Sequence, residues 1–208
     1  MQSMVKKIVD RIAAAILLVV LSPVIAAVAL LVWMTMGRPV FFRQTRAGFR
    51  GRPLQIVKFR TMTGSRDVNG GLLPDEERLG ATGRFLRATS LDELPELYNV
   101  LTGELSLVGP RPLLARYLER YSQEQARRHQ VMPGITGWAQ VNGRNDLTWE
   151  EKFRLDVWYV DHWSLWLDLR ILMRTIWQVG RQSGISRTGH ATTTEFVGSS
   201  AGNELEHS

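Results

Sequence analysis

From residue 12 to residue 36 the chain reads IAAAILLVVLSPVIAAVALLVWMTM, without one charged side chain. Roughly 25 helical residues, at about 1.5 Å each, would cover a bilayer core of about 30 Å, so a spanning helix is the simplest expectation. Two features oppose it. Pro23 donates no backbone hydrogen bond and its ring clashes with the carbonyl of Val19, so a helix bends or breaks there. Ser22 is placed to bond back to the carbonyl of Leu18 and satisfy the freed backbone. Basic residues also flank both ends: Lys6, Lys7 and Arg11 before the run, Arg38, Arg43 and Arg46 after it. Such flanks prefer the cytoplasm, so both ends favour the same side. A re-entrant hairpin broken at Ser22-Pro23 satisfies both features. A spanning helix with a tolerated proline and a cleaved signal peptide are the alternatives.

Beyond the apolar run the period changes. Short alternating stretches at residues 40–44 and 54–59, joined through Gly48 and Gly51, predict a β-hairpin. Its arginines either form a solvated edge or face phosphates. Residues 65–80 are polar and glycine-rich and read as a long loop. A helical pattern starts at Leu79 and is interrupted at Thr89-Ser90. LLARYLERYSQEQARRH, after Pro112, reads as one amphipathic helix with a basic end. VMPGITGWAQVNGRNDLTW is too rich in turn formers for a linker and reads as a functional loop. Residues 149–184 read as helical and hold Trp149, Trp158, Trp163, Trp166 and Trp177. These rings belong either to an aromatic core or to helices lying on lipid headgroups, and the apolar N-terminus favours the second. The pattern as a whole predicts an α+β, mostly helical, membrane-associated domain with a small β-hairpin. Residues 1–38 form the helix-break-helix, residues 39–197 one further domain, and residues 198–208 a disordered tail.

Composition narrows the chemistry. The 208 residues carry a net charge of +6, which points to an anionic partner. There is no cysteine, which removes disulfides, thiol nucleophiles and thiolate metal sites. No phosphate-binding glycine loop of the P-loop or dinucleotide type is present. The basic residues are scattered and follow no nucleic-acid-binding motif, so nucleic acid is not the expected partner.

The stretch TSLDELPELYNVLTGELSLVGPRP sets Asp92 beside Glu93 among arginines. One interpretation is structural: Ser90 and Glu93 fit a capping box, with Asp92 favouring the helix dipole. The other is chemical. Adjacent residues in mid-helix diverge, but at an irregular helix start both carboxylates can converge. Two carboxylates with Mg2+ would form an oxygen-ligand site suited to a diphosphate, and arginines would grip the phosphate oxygens. A carboxylate can also attack phosphorus covalently.

KFRTM (residues 58–62), SLDELPELYNVLTGELSLVGPRPLL (90–114), PGITGWAQVNGR (133–144), Leu167-Asp168 and SGISRTGHATTTEF (183–196) together resemble the bacterial sugar transferases, the monotopic phosphoglycosyl transferases. The likeness runs in order to about Val197, and the short length resembles members made of the catalytic core alone. The resemblance implies transfer of a phosphosugar from a UDP-sugar to polyprenol (undecaprenyl) phosphate, releasing UMP, on the cytoplasmic face of the bacterial inner membrane. It implies Asp92 as nucleophile and Glu93 beside Mg2+, with both carboxylates serving the metal, and a membrane helix broken at Ser22 and Pro23. Lys58, Arg87 and Arg111 are expected to bind phosphate. Asn142, Gly143 and Arg144 are expected near the nucleotide or sugar. Likeness to the short members suggests an N-acetylated, bacillosamine-type donor. The competing expectation is a non-catalytic membrane scaffold descended from the family. Oligomeric state is not legible.

Overall fold

The computed structural model describes residues 3–143, 146–181 and 195–198. Helix α1 (Met4–Val20) starts on Ser3, whose hydroxyl accepts from Lys6 N at 3.3 Å. Helix α2 (Ser22–Met36) follows with Pro23 in its first turn, where a missing N–H costs nothing. The two are bent by 64° across Leu21. Ser22 donates to the carbonyl of Val19 at 2.8 Å, one residue from the expected Leu18, because the break tightens the last turn of α1. Among the described residues no single helix is long and apolar enough to cross a membrane; the bent pair meets that test only together.

The pair is not a free anchor. α1 buries Lys6, Asp10 and Ala14, one stripe at four-residue spacing, against the helix at residues 96–102 and a short strand at 106–108. α2 buries only Val28 and Val32, which pack with Phe59 and Leu86. Its other faces and those of α1 leave Ile8, Ile12, Ile16, Val19, Leu30, Trp33 and Met34 exposed. The helix therefore begins well before the uncharged run, and its charged turn enters the protein core.

The hairpin forms as expected but longer. β1 (Phe41–Ala47) pairs antiparallel with β2 (Pro53–Phe59). The expected loop at 65–80 contains a one-turn helix α3 (Asp75–Arg78). Then come α4 (Ala81–Thr89), a 3-10 turn at Leu91–Glu93 and α5 (Glu96–Thr102). Strand β3 (Ser106–Val108) pairs in parallel with β4 (Gly134–Thr136).

The single helix expected after Pro112 is not formed. A 3-10 stretch at Ala115–Arg120 ends where Tyr121 turns extended, and Ser122 opens α6 (Gln123–Ala126) with its own capping box. The local cap competes with helix continuation. The break also lets Tyr117 and Tyr121 reach the cluster with Trp149, Phe153 and Phe196. After α7 (Trp138–Val141), the helical region divides into α8 (Trp149–His162) and α9 (Leu165–Arg181), because Ser164 accepts from Leu167 N and starts a new helix. The tryptophans divide too. Trp149 is in the aromatic cluster and Trp158 stacks on Trp138, whereas Trp166 and Trp177 join Leu169, Met173 and Ile176 on the exposed stripe of α9. Residues 199–208, expected as a tail, lie outside the described residues.

Candidate active site

The dyad sits on the 3-10 turn, not on a capped α-helix. Ser90 adopts the left-handed region, φ 56°, and its side chain caps nothing. The expected capping box is therefore absent, and Glu93 is recruited elsewhere. Its carboxylate receives Lys58 Nζ at 2.7 Å and is gripped by both terminal nitrogens of Arg111. The 3-10 turn puts Asp92 and Glu93 within reach of one set of cations.

The two acids are in different states. Burial opposes ionisation of Glu93, but Arg111 and Lys58 outweigh it and hold its carboxyl well below the usual range. Asp92 is 9% exposed, and among the described residues no hydrogen bond reaches its carboxylate. Burial first, then the charge of Glu93, push it up to about 6 against the pull of Lys58, Arg111 and Arg87. One acid is locked as an ion pair, and its neighbour is uncommitted.

β2 and the residues after it carry much of the site. Lys58 leaves β2 toward Glu93. Phe59 buries into the core of α2. Arg60 reaches the carbonyls of Met36, Gly37 and Arg38 and so caps the end of α2. Thr61 accepts from Arg87 Nε at 3.1 Å, and Arg87 in turn lies in the field of Asp92. Burial lowers Arg87, and Asp92 partly restores it.

Arg111 is aimed by its backbone as well. Its carbonyl accepts from Arg128 at 2.7 Å, and Arg128 is paired at 2.7 Å with Asp156, both buried. Two glycines let this loop approach its neighbour: a side chain on Gly109 would strike Met132 O and Gly134 N, and one on Gly134 would strike Gly109 N. Arg111 also donates to Ile135 O at 3.3 Å.

The structure thus brings Lys58, Asp92, Glu93 and Arg111 together, with Arg87 beside them. It does not bring Asn142, whose amide donates to Trp138 O and accepts from Arg174. Gly143 follows it at the end of α7. Arg144 lies outside the described residues. Sequence reasoning missed Glu96, Thr61, Arg128 and Asp156. A signal existed for Asp156: it falls on the buried stripe with Phe153 and Val157, where a carboxylate needs a partner. Arg128 sits in a basic run and gave none.

Among the described residues no group of three or more histidines, cysteines or carboxylates could hold a metal ion alone. Asp92 has carboxylate oxygens to offer, while those of Glu93 are engaged by cations. This donor set fits an Mg2+ that takes one or two protein carboxylates and completes its shell with phosphate and water oxygens.

The chain matches the bacterial sugar transferase family over residues 1–182. It is 56% identical over 194 residues to the uncharacterized sugar transferase EpsL of Bacillus subtilis (strain 168), covering 93% of this chain and 96% of that protein. It is 40% identical to the UDP-glucose:undecaprenyl-phosphate glucose-1-phosphate transferase of Escherichia coli (strain K12), covering 84% of this chain and 40% of that protein. It is 36% identical to the undecaprenyl-phosphate galactose phosphotransferase of Salmonella typhimurium, covering 86% of this chain and 41% of that protein. The chain therefore spans about two fifths of these two relatives and nearly all of the first. With the dyad, its cations and the bent apolar pair in place, the chain is a transferase belonging to the bacterial sugar transferase family.

Proposed function

We propose that the chain moves a sugar 1-phosphate from a UDP-sugar to polyprenol phosphate at the cytoplasmic face of the membrane. The observation that carries the proposal is the asymmetry of the dyad: Asp92 uncommitted, Glu93 locked between Lys58 and Arg111. A carboxyl near 6 is largely ionised at neutral pH yet more nucleophilic than an ordinary aspartate. An Asp92 oxygen attacks the phosphorus that bears the sugar. A bond forms from Asp92 to phosphorus, the bond to the bridging oxygen breaks, and UMP leaves with that electron pair. A polyprenol phosphate oxygen then attacks the same phosphorus and the Asp92–phosphorus link breaks, regenerating the carboxylate. No proton transfer is required.

Arg111, Lys58 and Arg87 take the negative charge of the diphosphate. Asp92, with Glu93 beside it, would hold Mg2+, which supplies positive charge to the phosphate oxygens when bound. Re-entry of α1 and α2, supported by the bend and the exposed apolar faces, keeps the site at the headgroup level where the lipid phosphate lies. The exposed stripe of α9 rests on the same surface.

The test is UMP release by purified protein with undecaprenyl phosphate, Mg2+ and a panel of UDP-glucose, UDP-galactose and N-acetylated UDP-sugars, beside Asp92→Asn. UMP from at least one donor, lost in the variant, with ping-pong kinetics, is the expected result. No UMP from a broad panel would return the chain to the scaffold alternative. Initial rates showing that both substrates bind before UMP leaves would overturn the covalent step.

A further inference from the structure

Glu96 opens α5 as its first residue, a position where a carboxylate favours the helix dipole and ordinarily faces water. Here it is turned inward and is 2% exposed, although α5 has a solvent face, on which Tyr98 sits. Burying a carboxylate is costly unless a partner is supplied. The partner is Lys58, whose Nζ lies 3.0 Å from Glu96 Oε1 and 2.7 Å from Glu93 Oε1. Lys58 is thus shared by one acid of the dyad and one acid outside it.

The same face of α5 fixes the strand that carries Lys58. Asn99, three residues on, is buried against β2. Its amide donates to Gln55 O at 2.8 Å and accepts from Val57 N at 3.2 Å. Asn99 so pairs the free edge of β2 as a neighbouring strand would. One side chain holds the backbone beneath Lys58 and another holds its ammonium.

Resting on the transferase reading, the geometry points to Glu96 as a positioning residue. It holds the Lys58 ammonium at the dyad, so that two of its three N–H donors are committed and the third is directed to a phosphate oxygen of the donor. Without the Glu96 charge, Lys58 keeps one anchor and swings. A merely structural Glu96 would instead make its loss felt as unfolding.

The test combines two readouts on the full chain in lipid nanodiscs. The first is acylation of lysine amines by a soluble acetylating reagent, quantified by peptide mass spectrometry. Exposed Lys7 is the internal reference and buried Lys6 reports on folding. The second is the KM and kcat for the donor. In Glu96→Gln, Lys58 is expected to label several-fold faster relative to Lys7 while Lys6 stays protected. Donor KM is expected to rise about tenfold, the worth of one charge-assisted hydrogen bond, with kcat changed far less. Glu96→Asp, one methylene shorter, is expected to fall between the two. Unchanged Lys58 labelling, or Lys58 and Lys6 becoming reactive together, overturns the assignment. An unchanged donor KM alongside faster labelling overturns it too. Wild-type protein that turns over no donor but keeps Lys58 protected through Glu96 sinks the transferase reading and leaves the placement of Lys58 standing.

Discussion

Lys6 Nζ lies 2.7 Å from Asp168 Oδ2, 162 residues further along the chain, and both side chains are buried. Asp168 also accepts from Tyr159 at 2.7 Å and from Trp163 at 3.1 Å, and Lys6 pairs with Asp10 at 3.3 Å. The first turns of α1 are therefore bolted to α8 and α9. Removing one partner leaves a buried charge uncompensated, so Lys6→Met is expected to destabilise the protein by about 3 to 5 kcal/mol. Lys6→Met with Asp168→Leu is expected to recover part of that loss, because both charges go together. Thermal unfolding in detergent measures both.

Asp92→Asn is expected to abolish UMP release and yet to stabilise the fold. The aspartate is held ionised where burial and Glu93 disfavour it, and an amide has no such conflict. With metal removed by chelation at pH 8, the gain is expected to be about 1 to 3 kcal/mol. A variant that is both inactive and less stable would contradict the strained state assigned to Asp92.

His129 gives the acid limb of stability. Its Nδ1 faces Gly48 O at 3.1 Å, and its Nε2 is buried without a partner among the described residues. Burial, then the charge of Arg128, push it down to about 4 from the ordinary 6.5. The unfolded chain thus takes the proton first as pH falls. The contribution of a neutral His129 is full above about pH 6.5 and is lost progressively toward pH 4. Asp92, raised to about 6, acts with the opposite sign over the same range, so a difference is needed. The stability of wild type relative to His129→Gln is expected to fall from pH 7 to pH 4.

Gly109→Ala is expected to destabilise by about 1 to 3 kcal/mol, since its methyl would press on the backbone of Met132 and Gly134. Because Arg111 is two residues on, activity is expected to fall further than the folded fraction does. Comparing turnover with circular dichroism separates the two.

The chain has no cysteine, so single substitutions report topology cleanly. Ser3→Cys and Arg43→Cys, in sealed inverted vesicles, are both expected to react with an impermeant maleimide. Labelling of only one would mean that α1 and α2 cross the membrane.

Local signals carried the break at Ser22-Pro23 and the hairpin, because each rests on a backbone constraint within a few residues, whereas for Asp92 and Glu93 they left a helix cap and a chemical pair both open. They failed where tertiary partners decide. The pattern of Ser90 and Glu93 is chemically the same as that of Thr148 and Glu151, yet only the second forms a capping box. Lys58 and Arg111 outbid the local bond to Glu93, and neither is near it in sequence. The role of Glu96 and the partner of Asp156 were hidden for the same reason: Lys58 and Arg128 lie 38 and 28 positions away. The helix expected after Pro112 failed differently: Ser122 caps a new turn, and Tyr117 and Tyr121 belong to an aromatic cluster closed by Phe196, far along the chain.

Arg60 caps α2 while Lys58, two residues earlier on the same extended segment, holds Glu93. Two residues of strand measure about 7 Å. The protein therefore carries a short ruler between the end of its apolar helix and its carboxylate pair. Under the transfer proposed above, such a ruler would sort acceptors by depth: a phosphate tethered at the bilayer surface would meet Asp92, whereas one sunk below or floating above that plane would not.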